Sequence, residues 1–285
     1  MSLRRWLEQQ WQAQHAPAAL RPLSLVYGGV SATRRALLSA RTPKLPLPVV
    51  VVGNISVGGT GKTPFTVWLV ERLRAWGWKP GIVSRGYGGH APHYPLRVRR
   101  ETPPEHSGDE PAMLVRRLGC PLYVAPDRVA AARALIGSGE ANIIVADDGL
   151  QHYRLPRDLE ICIVDGQRRF GNGALLPAGP LREPPRRLAE VNLVVINGSD
   201  WACPAPARVR MDLAAREPQP LAGGAPRPWA QFAATRVHAI AGIGNPARFF
   251  DTLRAHGLDP IEHAFPDHHE FVTGDLNFGD RLPVL

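Results

Sequence analysis

Lysine is scarce in this chain. Lys44, Lys62 and Lys79 are the only lysines among 34 basic residues, so the formal charge of +9 rests almost wholly on arginine. Arginine suits bidentate phosphate recognition, and such an excess points to an anionic partner: a nucleotide, a phospholipid surface or nucleic acid. A GC-rich coding sequence enriches arginine equally well, so charge alone does not name that partner. Cysteine is also sparse. Cys120, Cys162 and Cys203 form an odd set without C-x-x-C spacing, which argues against a disulfide framework or zinc cage and fits a reducing compartment. Apolar runs are short, and none reaches the ~18 residues of a membrane-spanning helix. A continuous apolar stretch followed by a small-residue cleavage site, the mark of a signal peptide, is missing too. Internal repeats and extended low-complexity segments are not found. With 285 residues, 44% of them hydrophobic, the chain has room for one large α/β domain or for a large and a small one.

The stretch around which the rest is organised runs from Val49 to Pro64. Val49-Val50-Val51-Val52 reads as a short buried strand, a glycine-rich turn follows, and 65–76 reads as a helix. Such a turn aims main-chain N–H groups and a helix N-terminus at one point, where glycine permits close approach and the partial positive charge favours phosphate. Gly58, Gly59, Thr60, Gly61, Lys62 and Thr63 are therefore the expected nucleotide-binding residues. Lys62 is expected to reach the β- and γ-phosphates and Thr63 to hold Mg²⁺. The strict pattern wants glycine five residues before Gly61, where Ser56 stands.

Residues 1–41 read as a membrane-associating helical segment. Trp6, Leu7 and Trp11 recur at helical spacing beside Arg4 and Arg5, and Leu20, Leu23, Leu25, Val26, Tyr27 and Val30 lie between Arg21 and Arg34-Arg35, with Arg21-Pro22 interrupting the middle. An aromatic and arginine-bearing amphipathic segment can lie in the bilayer interface; a helix packed on the domain is the alternative. Residues 42–202 alternate strands (81–84, 121–125, 142–146, 159–164, 191–196) with helices such as 109–118 and 127–136. That predicts a mainly parallel sheet covered by helices on both faces, with ligands at the strands' carboxyl ends. Residues 203–230, rich in Pro, Gly and Ala, read as a linker with a short strand at 208–213. Residues 231–285 read as a smaller α/β domain: strand 237–241, helix 247–256, strand 261–265. Gly242-x-Gly244 there is read as a tight turn, not a second nucleotide site.

Several carboxylates are placed for chemistry. Asn142 to Ala146 is an apolar strand ending in Asp147-Asp148, where a metal-holding acid beside a phosphate loop is expected; capping of the next turn is the plainer reading. Gly108-Asp109-Glu110-Pro111 opens a helix, either as a cap or as a carboxylate placed to take a proton from an attacking hydroxyl. Arg85, in Ser84-Arg85-Gly86-Tyr87-Gly88-Gly89, is a candidate phosphate clamp. The Pro/Gly-rich loop 175–184, flanked by Arg168, Arg169, Arg182, Arg186 and Arg187, is suited to an amphiphile's phosphate head. In Asp267-His268-His269-Glu270, adjacent histidines diverge and no further ligand stands at zinc-like spacing, so one histidine assisting a carboxylate is favoured over a metal cluster, with a surface histidine pair as the alternative.

Taken together, these stretches resemble the tetraacyldisaccharide 4'-kinase family of P-loop kinases, which phosphorylate the lipid A precursor. The resemblance rests on Gly53-Asn54, Gly58 to Pro64, Ser84 to Gly88, Gly108 to Pro111, Asp147-Asp148-Gly149-Leu150-Gln151-His152, Leu176 to Glu183 and Phe265 to His269, in that order over residues 20–285. Serine at position 56 is normal in that family. The resemblance implies a P-loop NTPase-like α/β fold with a smaller C-terminal domain that closes over the site. It also implies ATP and Mg²⁺ dependence and peripheral attachment to the cytoplasmic face of the bacterial inner membrane. The implied partners are an anionic glycolipid and the membrane surface, not nucleic acid. Carried over by position, Lys62 and Thr63 bind phosphate and Mg²⁺, and Asp147 or Asp148 holds the metal with Glu110 in support. Asp109 takes the proton of the sugar 4'-hydroxyl and His268 tunes it. Arg182, Arg85 and Gln151 stand on the substrate side. The family pattern continues into a Thr-Glu-Lys-Asp motif and a closing helix, so the second domain is expected to lack its last elements. Two rival readings are a P-loop kinase or ATPase acting on a soluble small molecule and a non-catalytic nucleotide-dependent membrane switch.

Overall fold

The structure is a computed structural model that describes residues 3–244, 246–266 and 269–285. The chain separates into two compact units, Met1–Leu213 and Ala214–Leu285.

In the first unit, α1 (Leu3–Gln12), a 3-10 turn (Ala18–Leu20) and α2 (Arg21–Ser39) precede β1 (Val49–Gly53). Pro22 does interrupt the N-terminal segment, and it does so by opening α2, a first-turn place where a missing N–H costs nothing. The core continues through α3 (Lys62–Ala75), β2 (Pro80–Ser84), β3 (Leu96–Val98), α4 (Pro104–Ser107), α5 (Asp109–Leu118), β4 (Leu122–Val124) and α6 (Arg128–Gly137). It ends with β5 (Ile143–Ala146), β6 (Leu159–Asp165), β7 (Leu193–Asn197) and β8 (Arg208–Met211).

Among the described residues these strands make an eight-stranded sheet in the order β3-β4-β2-β5-β1-β6-β7-β8. Every pairing is parallel except β3 with β4. The central strands β1 and β5 are buried on both faces, so they are runs of β-branched and small apolar residues whose side chains alternate between two cores. Val49, Val51, Ile144 and Ala146 face Val129, Ala131, Ala132 and Leu135 of α6 with Leu150, Leu155 and Leu181. Val50, Val52, Ile143 and Val145 face Phe65, Leu69, Val70 and Leu73 of α3 with Leu114, Val115 and Leu118 of α5. The fold expected from the sequence, an α/β sheet with helices on both faces, is the fold observed.

Three local readings needed adjustment. α3 starts at Lys62 rather than 65, because Gly61 in the left-handed region (φ 94°) turns the chain straight into the helix, and Pro64 is tolerated in its first turn. β3 was not foreseen. It has three residues and is antiparallel at the sheet edge, too short for a periodic signal. β8, inside the stretch read as a linker, is the far edge strand of the first unit.

The second unit is a β-α-β element: β9 (Arg236–Ala241), α7 (Pro246–Ala255) and β10 (Asp259–Ala264), the strands parallel. Its own small core gathers Phe232, Val237, Ala239, Ala241, Phe250, Leu253 and Leu258.

Candidate functional site

β1 and β5 are hydrogen-bonded neighbours in the middle of the sheet, Val51 level with Ala146. The turn after β1 and the acids after β5 therefore leave the sheet side by side. This adjacency brings together residues 85 positions apart in the chain.

The turn is braced by side chains. Asn54 Nδ2 donates to Thr60 Oγ1 at 3.3 Å, and Asn197 at the end of β7 donates from Nδ2 to the Thr60 carbonyl at 3.0 Å. Arg168, held by Asp165 (Nε to Oδ2 3.2 Å), donates to the Gly59 carbonyl. A Cβ at Gly61 would fall 2.5 Å from Asn197 Nδ2, so position 61 needs glycine for space as well as for φ. A second buttress is the Pro-rich loop. Val57 N donates to Pro180 O at 2.8 Å, Arg182 N to Ile55 O at 2.7 Å, and Ser56 bridges to Leu181.

Around this turn the predicted polar residues converge. Lys62 Nζ lies 3.5 Å from Asp148 Oδ1. Arg182 Nη1 stands 3.4 Å from Asp148 Oδ2 and 3.3 Å from Gln151 Oε1. Gln151 Nε2 donates to the Asn54 carbonyl at 2.8 Å and to Glu183 Oε1 at 2.7 Å. Thr63 Oγ1 donates to Glu110 Oε1 at 3.3 Å. Asp109 and Glu110 occupy the first turn of α5, and the cap position is Gly108. Gly108 is fitted so closely to the 84–89 loop that a Cβ would lie 2.3 Å from the Tyr87 carbonyl. Arg85 is exposed at the end of β2 on this same edge, and Asp109 is exposed as well.

The two adjacent acids have opposite surroundings. Asp147 is 1% exposed and accepts a hydrogen bond from Thr66 Oγ1 at 2.8 Å. Burial, then the charges of Glu110 and Asp148, push its pKa up to about 7, against the smaller opposing pull of Thr66 and Lys62. Burial also pushes Asp148 upward, but Lys62, Arg182 and Arg128 outweigh it and hold that carboxyl below the usual range. Asp148 sits in the left-handed region (φ 48°), a conformation asparate-type residues tolerate better than most and one often found at functional sites. Its Oδ1 and the Asn54 Oδ1 are buried without a hydrogen-bond partner in the protein.

The arrangement fits a triphosphate tail and a divalent cation. The turn offers main-chain amides and one ammonium, while Glu110, Asp147 and Asp148 crowd negative charge that a cation would relieve. Among the described residues no three His, Cys, Asp or Glu side chains form a ready-made metal cage. Mg²⁺ needs none, since one or two carboxylates plus phosphate oxygens and water suffice.

Some expected residues fall elsewhere. Arg187 does not face a ligand: it is 2% exposed and is consumed by Glu160, Glu183 and Glu190. Arg169 stacks over Trp201, 5.8 Å from the ring centroid. His268 and Asp267 lie outside the described residues. Their neighbour His269, in the second unit, is tied to Asp275 (Nε2 to Oδ2 2.9 Å) and stacked on Phe265.

α2 packs on the Pro-rich loop with its polarity reversed. Ser24, Tyr27, Gly28, Ser31 and Arg35 form the protected stripe, whereas Leu25, Val26 and Val30 are 78%, 65% and 62% exposed. Arg34 and Arg41 flank the apolar groove of Val30, Leu37 and Leu38. Among the described residues no helix is long and apolar enough to cross a membrane.

The family model described as tetraacyldisaccharide-1-P 4'-kinase matches residues 16–282. The chain belongs to this 4'-kinase family. The tetraacyldisaccharide 4'-kinase of Alkalilimnicola ehrlichii is 50% identical over 285 residues, covering 98% of this chain and 84% of the relative. That of Stenotrophomonas maltophilia is 52% identical, covering 94% and 82%. Among solved structures, LpxK from Aquifex aeolicus in complex with ATP superimposes with a TM-score of 0.75 at 26% identity, covering 94% of this chain and 87% of that one.

Reading residues in order missed four parts of this cluster. Asn54, Asn197, Glu183 and Thr66 each bond a residue that the sequence did single out. Asn54 and Glu183 stand inside the quoted motifs, so position within a motif was the available signal. Asn197 and Thr66 carry none, because strand pairing and helix packing alone bring them in.

Proposed function

We propose that this protein transfers the γ-phosphoryl group of ATP to the 4'-hydroxyl of a tetraacyldisaccharide 1-phosphate, at a membrane surface on which it rests peripherally. The observation that carries the proposal is the convergence of Lys62, Asp148 and Arg182 beside a braced glycine turn. The inverted polarity of α2 supports an acylated acceptor over a soluble one.

Phosphoryl transfer asks for positioning and charge neutralisation more than for covalent chemistry. The main-chain amides of 58–63 and Lys62 would bind the phosphates. Thr63 and Asp148, with Asp147 and Glu110 behind them, would hold Mg²⁺, which supplies neutralisation of the charge developing on the transferred group. Asp109 would accept the proton of the attacking hydroxyl. Arg182, Arg85 and Gln151 would hold the acceptor and its phosphate. The raised pKa of Asp147 belongs to the site without cation, and a bound cation would bring it down. The cytoplasmic face of the inner membrane, where ATP is available, is the proposed location.

The direct test is incubation with ATP, Mg²⁺ and the disaccharide 1-phosphate lipid, followed by mass spectrometry. One added phosphate on the lipid is expected. ATP hydrolysis with no phosphorylated lipid would favour the membrane-switch reading, and phosphorylation of soluble sugars without lipid the small-molecule one.

A further inference from the structure

Two inward-facing groups of α2 hold the loop that carries Arg182. Ser24 Oγ donates to the Leu175 carbonyl at 2.8 Å and accepts from Ala178 N at 3.1 Å. The Tyr27 hydroxyl donates to the Arg182 carbonyl at 3.3 Å. Beside Tyr27, Gly28 lets the helix approach so closely that a Cβ there would lie 2.9 Å from Leu175 Cδ1. Two helical turns onward, Arg35 pairs with Glu190 beyond the same loop.

Arg182 is thus pinned at both ends of its peptide unit. Its N–H is fixed to Ile55 of the phosphate-loop turn and its carbonyl to α2, while its guanidinium faces Asp148 and Gln151. Burial raises the pKa of Tyr27, against the pull of Arg182, so the hydroxyl stays protonated and available as a donor.

We propose that Tyr27 is a positioning residue of the phosphoryl-transfer site: its hydroxyl fixes the Arg182 main chain and thereby the guanidinium that faces Asp148. The proposal rests on the kinase reading and deepens it. The helix whose outer side is apolar and the arginine beside the metal-binding acids then move as one body. An acylated acceptor seated on α2 is in register with the phosphate end of the site.

The test is a double-mutant cycle of Tyr27→Phe with Arg182→Ala, read by steady-state lipid phosphorylation and thermal melting. Tyr27→Phe is expected to lower kcat/KM for the lipid roughly threefold to tenfold, the size of one lost hydrogen bond. KM for ATP should hold steady. In the Arg182→Ala background the same change should have no further effect, because the guanidinium whose position the hydrogen bond sets is gone while the carbonyl remains. An equal loss in both backgrounds, or wild-type kinetics in folded Tyr27→Phe protein, overturns the proposal. Should Tyr27→Phe melt far below wild type, Ser24→Ala takes its place in the cycle and must show the same dependence on Arg182. A wild-type protein that phosphorylates no acylated acceptor overturns the kinase reading as well; equal losses in an active enzyme overturn this one alone.

Discussion

α5 and α2 both flank the loops of the site, and they bury opposite kinds of residue. α5 follows the ordinary rule of a surface helix: Ala112, Leu114, Val115 and Leu118 go into the core, and Arg116 and Arg117 into solvent. α2 turns Ser24, Tyr27 and Ser31 toward the protein and leaves Leu25, Val26 and Val30 outside. Each outward apolar residue costs about 1.5 to 3 kcal/mol relative to burial. A helix held by polar contacts with its apolar side uncovered is suited to a second apolar phase. The difference teaches that α5 is a structural mount for two acids, whereas α2 joins an uncovered apolar side to the loop that carries Arg182, which is the contact the proposed function would use.

Four experiments sharpen or break that contrast. The largest effect is expected at the phosphate end: Lys62→Ala should lower kcat/KM about 10³-fold, the upper range for a lost transition-state donor, while lipid binding persists. Asp109→Ala should reduce kcat by ~10² or more with ATP binding nearly unchanged. Near-normal turnover in that variant would remove Asp109 from the mechanism and leave α5 purely structural.

The third concerns Asp147 and stability. Its pKa rises on folding from 3.8 to about 7, so between those values the native state binds more protons than the unfolded chain. The cation-free protein should therefore lose stability as pH rises from about 4 to 7, by up to about 1.4 kcal/mol per pH unit. Melting curves across that range should flatten in Asp147→Asn, and an unchanged slope would place the buried proton elsewhere. The smallest effect is expected at α2. Leu25→Asp with Val26→Asp should raise KM for the acylated acceptor about thirtyfold, since lost apolar contact is worth ~1 kcal/mol per side chain. The melting temperature should stay close to wild type because both positions are outside the core. An undiminished affinity for lipid would sink the idea that this side meets acyl chains.

Much of the site was legible in order along the chain. A β-branched run, a glycine turn and Lys62-Thr63 are local features, and each dictates its own geometry through burial, backbone freedom and charge. Asp147-Asp148 were legible as a pair because a buried strand must end before a charge can surface. Their different characters were not legible. Asp147 is pushed toward its neutral form by burial, Glu110 and Asp148, and Asp148 is kept charged by Lys62, Arg182 and Arg128, partners that come from four separate segments. The same holds for Arg187, which composition offered as a phosphate ligand and packing enclosed among three glutamates.

The sequence by itself determined the α/β alternation, the phosphate-binding turn and the apolar ridge of α2, because these follow from period, glycine placement and local hydrophobicity. Only the tertiary structure decided which acid keeps its charge, which arginine remains available and how α2 is fastened to Arg182. Those outcomes depend on distances of 3 to 4 Å between segments far apart in the chain, and at that range desolvation and Coulomb energy are set by neighbours rather than by residue type.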